Sequence, residues 1–173
     1  LAIEGLLHWY SQLKSMRFAS LRYFNAAGYD PTGKIKELEK EPGNLMPIVM
    51  EVVMGTREKV VVFGDDYDTD DGTCIRDYIH VSDLADIHIK GLNYLNNNKK
   101  SFTLNCGYGK GYSVQQIVNI FKKIKNDVKI NYLKRRPGDI AQVYANTKKF
   151  KKILRWKPKY NDIKLIIKSA IRW

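Results

Sequence analysis

Cysteine is almost missing from this chain. Cys74 and Cys106 are the 2 among 173 residues, too few for a disulfide framework and too far apart in sequence for a metal-ligand spacing. No metal site is expected, and the scarcity points to a reducing compartment and a cytoplasmic location. Long apolar runs are missing as well. The longest, such as VVVF at Val60 to Phe63, fall far short of the roughly 18 residues that read as a membrane span, so no membrane partner is expected. The opening LAIEGLLHWYSQLK carries Glu4 and no basic head, unlike a secretory signal. Internal repeats and low-complexity linkers are absent. Acidic residues are the last shortage: 18 Asp and Glu stand against 30 Lys and Arg, a formal net charge of +12. The excess lies mostly beyond Phe121 and suggests an acidic partner. Yet the lysines of FKKIKNDVKI and NTKKFKKILRWKPK alternate with apolar residues, as on the wet faces of helices and strands. No reading helix or stacking module for nucleic acid accompanies them, so no nucleic-acid partner is expected. A basic nucleic-acid-binding module stays as the alternative from another class, and it would show steeply salt-dependent binding.

What is present suits one ordinary domain, or a domain and part of another, with 44% hydrophobic residues to build a core. Leu1, Ile3, Leu6, Leu7, Tyr10 and Leu13 recur at helical spacing with no capping residue ahead of them, the pattern of a helix whose start has been cut away. RFASLRYFNAAG reads as an apolar strand that delivers Asn25 to its C-terminal end, where parallel strands meet ligands. Tyr29 to Asn44 is loop-like. LMPIVMEVVMGTR is a helix entered near Pro47 and ended near Gly55, and VVVFG is a short strand. GDDYDTDDGTCIRDY, rich in Asp and Gly, reads as an irregular loop, followed by the helix HVSDLADIHIKGLNYL with Ser82 or Asp83 near its cap. SFTLNCGYGKGYS is a strand running into a glycine-rich turn. Ser113 caps VQQIVNIFKKIKN, whose Val114, Ile117, Val118, Phe121 and Ile124 form one apolar face. VKINYL is a strand and RRPGD a turn. TKKFKKILRW and NDIKLIIKSAIRW are the closing helices. The order is α/β. The turn GYGKGYS has the spacing G-x-G-x-G, which differs from a G-x-G-x-x-G dinucleotide fingerprint, and reads as a tight turn.

The segment DGTCIRDYIHVSDLADIHIK, Asp71 to Lys90, gathers an arginine, aspartates, a tyrosine and a histidine just before a helix, an arrangement able to hold an anion at the mouth of a fold. Taken alone it is equally a loop with an N-cap. Its neighbours make it specific. LRYFNAAG, GNLMP, VVVFGDDYDTDDGTCIRDYIHVSDLA, NCGYGKGYSV and RRPGD, in this order and at these separations, resemble the C-terminal half of the UDP-glucose 4-epimerase family, within the extended short-chain dehydrogenase/reductase superfamily. The resemblance covers essentially the whole chain.

That resemblance implies the C-terminal part of a Rossmann-type fold, mostly its smaller substrate-binding domain. Residues 1–28 would end the NAD-binding domain. Residues 29–173 would form the nucleotide-sugar region, with about 74–110 returning to the Rossmann sheet. It implies interconversion of UDP-galactose and UDP-glucose through a 4-keto intermediate with bound NAD, in galactose metabolism, by a homodimer. Arg76 and Arg136 match the family's diphosphate-binding positions, where guanidinium forks suit paired phosphates. Asp139 matches the carboxylate that accepts from ribose hydroxyls. Phe63, with Val61 and Val62, matches the strand edge that receives uracil. Asn25 and Asn44, with Leu45 beside them, match groups that bond sugar and phosphates. Tyr23 and Phe24 match the packing against nicotinamide. Asp77, Tyr78 and His80 are expected to fix the loop that aims Arg76, His80 structurally rather than as an acid or base. The family's catalytic Tyr-x-x-x-Lys would lie just before Leu1, so no catalytic residue is assigned here, NAD would be held mainly by the preceding half, and the chain alone is expected to be inactive. Val143 occupies a position whose bulk governs access of an N-acetyl group, and Val is small. Another NAD-dependent nucleotide-sugar dehydratase or decarboxylase of the superfamily is the nearer alternative.

Overall fold

A computed structural model describes residues 2–35, 40–124 and 127–171. Leu1, Lys125, Asn126, Arg172 and Trp173, which the sequence places in helices, and residues 36–39 of the expected loop lie outside the described residues. The elements run α1 (Ala2–Leu13), β1 (Ala19–Tyr23), β2 (Asn25–Ala27), α2 (Leu45–Met54), β3 (Val60–Phe63), β4 (Ile75–His80), α3 (Val81–Asn98), β5 (Phe102–Cys106), β6 (Gly111–Ser113), α4 (Val114–Lys122), β7 (Ile130–Leu133), β8 (Gln142–Val143), α5 (Lys148–Leu154) and α6 (Ile163–Ile171). Strands pair across long stretches of sequence, β1 with β5, β2 with β4 and β3 with β7, all parallel. β4 also takes β6 antiparallel on one side and the short β8 parallel.

Two apolar clusters hold these pieces. One gathers Val60 and Val62 of β3, Tyr78 of β4 and the inner faces of α2, α4 and α6, including Met46, Phe121 and Ile167. The other packs Ile79 and Leu104 against Ile87 of α3 and against Phe150 and Trp156 near the C-terminus. The helix ends follow from local chemistry. α4 opens on a reciprocal capping box in which the Ser113 hydroxyl accepts from Gln116 N and the Gln116 amide oxygen accepts from Ser113 N, both at 3.0 Å. α2 ends on Gly55 at φ 83, a left-handed turn whose N–H returns to the last carbonyls. Pro47 sits in its first turn, where a missing N–H costs nothing.

The structure corrects the sequence reading in several places. The end of the expected glycine-rich turn, Gly111–Ser113, is strand β6, because it pairs with β4, and Ile124, expected on the apolar face of α4, lies past the helix end at Lys122 and is exposed. The tail of the expected Asp-rich loop, Ile75 to Tyr78, and the first residue of the expected helix, His80, belong to the hub strand β4. Charged residues are tolerated there because Asp77, fully buried, accepts N–H groups from Tyr108 at 3.1 Å, Gly109 at 2.9 Å and Ala145 at 3.1 Å. The cap of α3 is His80, whose Nδ1 accepts from Ser82 N at 3.0 Å, in place of Ser82 or Asp83. Asp83 instead draws in the C-terminal segment, accepting from Lys159 N at 3.1 Å, from Tyr160 N at 2.9 Å and from the Tyr108 hydroxyl at 2.7 Å. Finally, Gln142–Val143 forms β8, which carries no strand pattern of its own.

Candidate functional site

β4 brings the Arg76 side chain to the edge of an open cleft of about 160 Å³. Asn25, Asn44, Leu45, Val61, Val62, Phe63, Arg76, Arg136 and Asp139, separated by more than a hundred positions in sequence, all line it. Each arrives by a different route. β3 alternates buried and half-buried residues, so Val60 and Val62 enter the core while Val61 and Phe63 face outward. Val62 is 3% exposed and has only its backbone to offer. Phe63 ends the strand, and the Arg136 guanidinium lies over its ring, 4.7 Å from the centroid. Asn25 is the first residue of β2, at the break where β1 stops.

Asn44 occupies the N-cap of α2 at φ −95 and ψ 151, yet its side chain makes no capping hydrogen bond. An asparagine at this position ordinarily turns back to its own helix; here the first turn of α2 and the Asn44 amide are both presented to the cleft. The positive end of a helix favours an anion at such a place. Asn44 also lines a neighbouring cavity of about 500 Å³, formed by Ala26, Gly28, Tyr29, Met46, Val81 and Ser82 among others. The two hollows therefore meet at one amide.

Charge is concentrated at the opposite wall. Arg136 Nε donates to Asp139 Oδ2 at 3.0 Å, and Arg76 Nη2 stands 4.0 Å from Asp139 Oδ1. Arg76 is further fixed by donation from Nη1 to the carbonyls of Ile140 at 2.7 Å and Ile75 at 2.9 Å. Two guanidinium groups thus share one carboxylate and keep an excess of positive charge over a partly enclosed hollow, a receptor for a dianionic group. Arg76 is the more enclosed, its side chain 19% exposed against 57% for Arg136.

The remaining expected site residues are placed elsewhere. Val143 is half-buried and paired with Arg76 across β4 and β8, beside the cleft and outside its lining. Tyr23, half exposed at the end of β1, tilts toward the His88 ring at 6.2 Å, and Phe24 is half-buried at the break before β2; neither lines the cleft. Cys74, Tyr78 and Val114 do line it and were not anticipated. Cys74 and Tyr78 stand two residues to either side of Arg76 and share its side of the extended chain, so placing Arg76 on a strand is what finds them. A Tyr-x-x-x-Lys spacing also occurs within the chain, at Tyr10 and Lys14 of the first helical segment. Tyr10 is 55% exposed, and neither residue lines the cleft.

The glycine-rich turn after β5 is closed on itself. Its Tyr108 and Gly109 N–H groups are taken by the Asp77 carboxylate, and a Cβ at Gly107 would run into the same carboxylate. Burial pushes the Asp77 carboxyl above its ordinary range, with the three N–H donors opposing. An amide pair already bound to a buried carboxylate does not cradle a pyrophosphate, so this turn does not fit that part of a dinucleotide.

The parallel pairings, the helices packed on them and an arginine-walled cleft at strand ends define the class: an α/β protein of Rossmann type. The profile of the NAD dependent epimerase/dehydratase family matches residues 1–107. UDP-glucose 4-epimerase of Halalkalibacterium halodurans is 41% identical over 174 residues, which takes in 100% of this chain and 52% of that protein. A crystal structure of UDP-glucose 4-epimerase superposes with a TM-score of 0.92 at 46% identity, covering 99% of this chain and 53% of the other. The enzyme from Bifidobacterium longum, in complex with NAD+ and UDP, gives 0.89 at 38% identity over 98% of this chain and 51% of its own. The chain belongs to the NAD dependent epimerase/dehydratase family. It spans about half the length of the relatives it matches, their C-terminal half.

Proposed function

We propose that this chain carries the nucleotide-sugar half of a UDP-hexose 4-epimerase, interconverting UDP-glucose and UDP-galactose with NAD as cofactor. The observation that carries the reading is the convergence of Arg76, Arg136 and Asp139 with Phe63 on one cleft. The arginines take the diphosphate, Asp139 accepts from the ribose, and Phe63 with the outward edge of β3 receives the base. Asn25, Asn44 and Leu45 bond the sugar and phosphates. A hollow of about 160 Å³ holds part of such a ligand, since pockets for whole ligands of this size are roughly 300–1,000 Å³. The sugar extends past Asn44 into the larger cavity.

NAD supplies the hydride acceptor in this family's chemistry. The residues described here fit contact at the nicotinamide end alone, through Tyr23 and Phe24, and the glycine-rich turn does not fit the pyrophosphate. The cofactor is therefore held mainly outside these 173 residues. Residues 1–28 belong with the NAD-binding domain and 29–173 with the substrate region, about 74–110 rejoining the sheet. The homodimeric, cytoplasmic state of the intact enzyme and the absence of a nucleic-acid partner belong to the same proposal. Among the described residues no helix is long and apolar enough to cross a membrane. The relatives do not favour a dehydratase, a decarboxylase or a basic nucleic-acid module.

The test is UDP affinity of the intact gene product by titration calorimetry. Arg76→Leu and Arg136→Leu should each weaken binding by about 1.5 to 3 kcal/mol, the worth of a charge-assisted hydrogen bond. Unchanged affinity in both variants refutes the assignment.

A further inference from the structure

The turn that follows β7 carries two adjacent arginines, and they do different things. Arg136 faces the cleft. Arg135 faces away, as neighbouring residues in extended chain do. Its Nε donates to Asp66 Oδ1 at 2.7 Å, its Nη2 donates to the Asp66 carbonyl, and its guanidinium lies 4.3 Å from the centroid of the Tyr67 ring. We propose that Arg135 is a positioning residue for diphosphate recognition: it clamps the turn 134–139 against the loop after β3 and so holds Arg136 at the cleft. This inference rests on the reading of the site given above.

The platform under Arg135 is rigid. Tyr67 is 5% exposed, and its N–H donates to the Gly72 carbonyl at 2.9 Å, closing the loop on itself. The ring and Arg135 meet above Gly64, at φ +88, where an added Cβ would strike the Tyr67 ring and stand 2.8 Å from Arg135 Cγ. Only glycine leaves room for that stack at that backbone angle. Gly64 N also donates to Leu133 O at 2.8 Å, so β3 and β7 end together. Beyond Leu133, Arg135 makes the hydrogen bonds that leave residues 134–138 for the rest of the protein, among the described residues. The Asp139 N–H to Arg136 O bond at 3.3 Å and the Arg136 pair with Asp139 are internal to the turn.

The ion pair with Asp66 is exposed, 45% and 70% for the two side chains, and contributes little by itself. The cation over a buried aromatic face is the stronger part of the clamp. Without it the turn must be ordered when phosphate binds, so Arg136 meets its ligand at an added entropic cost.

A double-mutant cycle on UDP affinity in the intact gene product separates positioning from general structural support. Arg135→Leu should weaken UDP binding roughly five- to tenfold in the parent, the scale of ordering one flexible side chain. In the Arg136→Leu background the same substitution should change affinity by under about twofold, because the group it positions is gone. Equal losses in both backgrounds, or no loss in the parent, overturn the proposal. If Arg136→Leu weakens binding and Arg135→Leu does not, the site reading stands and the clamp fails. If Arg136→Leu leaves affinity unchanged, the clamp fails, and the site reading fails with it when Arg76→Leu is also without effect.

Discussion

His80 offers a sharp perturbation because its protonation state is dictated from both sides. Nδ1 accepts from Ser82 N at 3.0 Å, so it carries no proton. Nε2 lies 3.0 Å from Ser169 Oγ, whose own hydrogen goes to the Ile166 carbonyl at 2.6 Å; Nε2–H therefore donates. The ring is the neutral Nε2–H tautomer, fully buried and stacked 4.2 Å from Tyr160. Burial lowers its pKa below the ordinary 6.5, against the pull of Asp83 and Asp30. In the unfolded chain His80 protonates near that ordinary value, while in the folded chain it resists, so the unfolded state binds more protons. Stability contributed by the neutral ring is fully present above about pH 6.5 and is lost progressively as pH falls from there to the lower folded-state pKa. His80→Leu removes the α3 cap, leaves the half-buried Ser82 N–H without its acceptor and strips Ser169 Oγ of its donor in the buried interior, which should cost about 2 to 4 kcal/mol. For a chain of this size the melting midpoint would fall by roughly 5 to 15 °C. His80→Asn, which still caps, should recover part of the loss. Thermal melts between pH 5 and 8 provide the assay. The variants should lose the acid-side slope; a His80→Leu curve parallel to the parent's across that range refutes the tautomer argument.

Val143 governs a second prediction. The intact protein should accept UDP-N-acetylglucosamine beside UDP-glucose, and Val143→Tyr should remove only the N-acetylated activity. From its place beside the cleft, paired with Arg76, a bulkier side chain would act by steric overlap, which discriminates more sharply than an apolar contact worth about 1 to 3 kcal/mol. The ratio of kcat/KM for the two substrates, parent against variant, is the measurement, and an unmoved ratio removes Val143 from the gate. A third concerns the 173-residue chain by itself, supplied with UDP-galactose and NAD. It should produce no UDP-glucose, since its one glycine-rich turn is filled by Asp77; clear turnover would contradict that.

Local sequence carried the elements whose signals are local. The Ser113 cap, the Gly55 stop and the apolar face of α4 as far as Phe121 were legible because capping chemistry and helical period sit within a few residues of one another, whereas Ile124 falls beyond the helix end and is exposed. The GYGK part of GYGKGYS was legible as a turn from its spacing, though its last three residues are β6 and the carboxylate filling the turn is 31 residues away at Asp77. What the sequence hid was β4. Its charged residues look like a loop until the N–H donors that satisfy Asp77 and the hydroxyl acceptor of His80 arrive from segments near residues 108, 145 and 169. β8 was hidden for the same reason, being a strand only by virtue of lying beside β4. The motif resemblance led to the cleft residues, whereas the division of labour between Arg135 and Arg136 needed the side-chain directions.

The remote partners of β4 also set an order of events during folding. Asp77 waits for Ala145, 68 residues on; Asp83 waits for Tyr160, 77 residues on; His80 waits for Ser169, 89 residues on. Until those segments dock, the hub strand carries polar groups that an apolar cluster rejects. Closing such long loops comes before any reward from the contacts they make, which slows folding and lengthens the life of partly assembled species. On a ribosome the first half of the chain emerges well before the residues that complete it. Until then the strand edges and apolar faces that the later segments cover stay open to wrong partners.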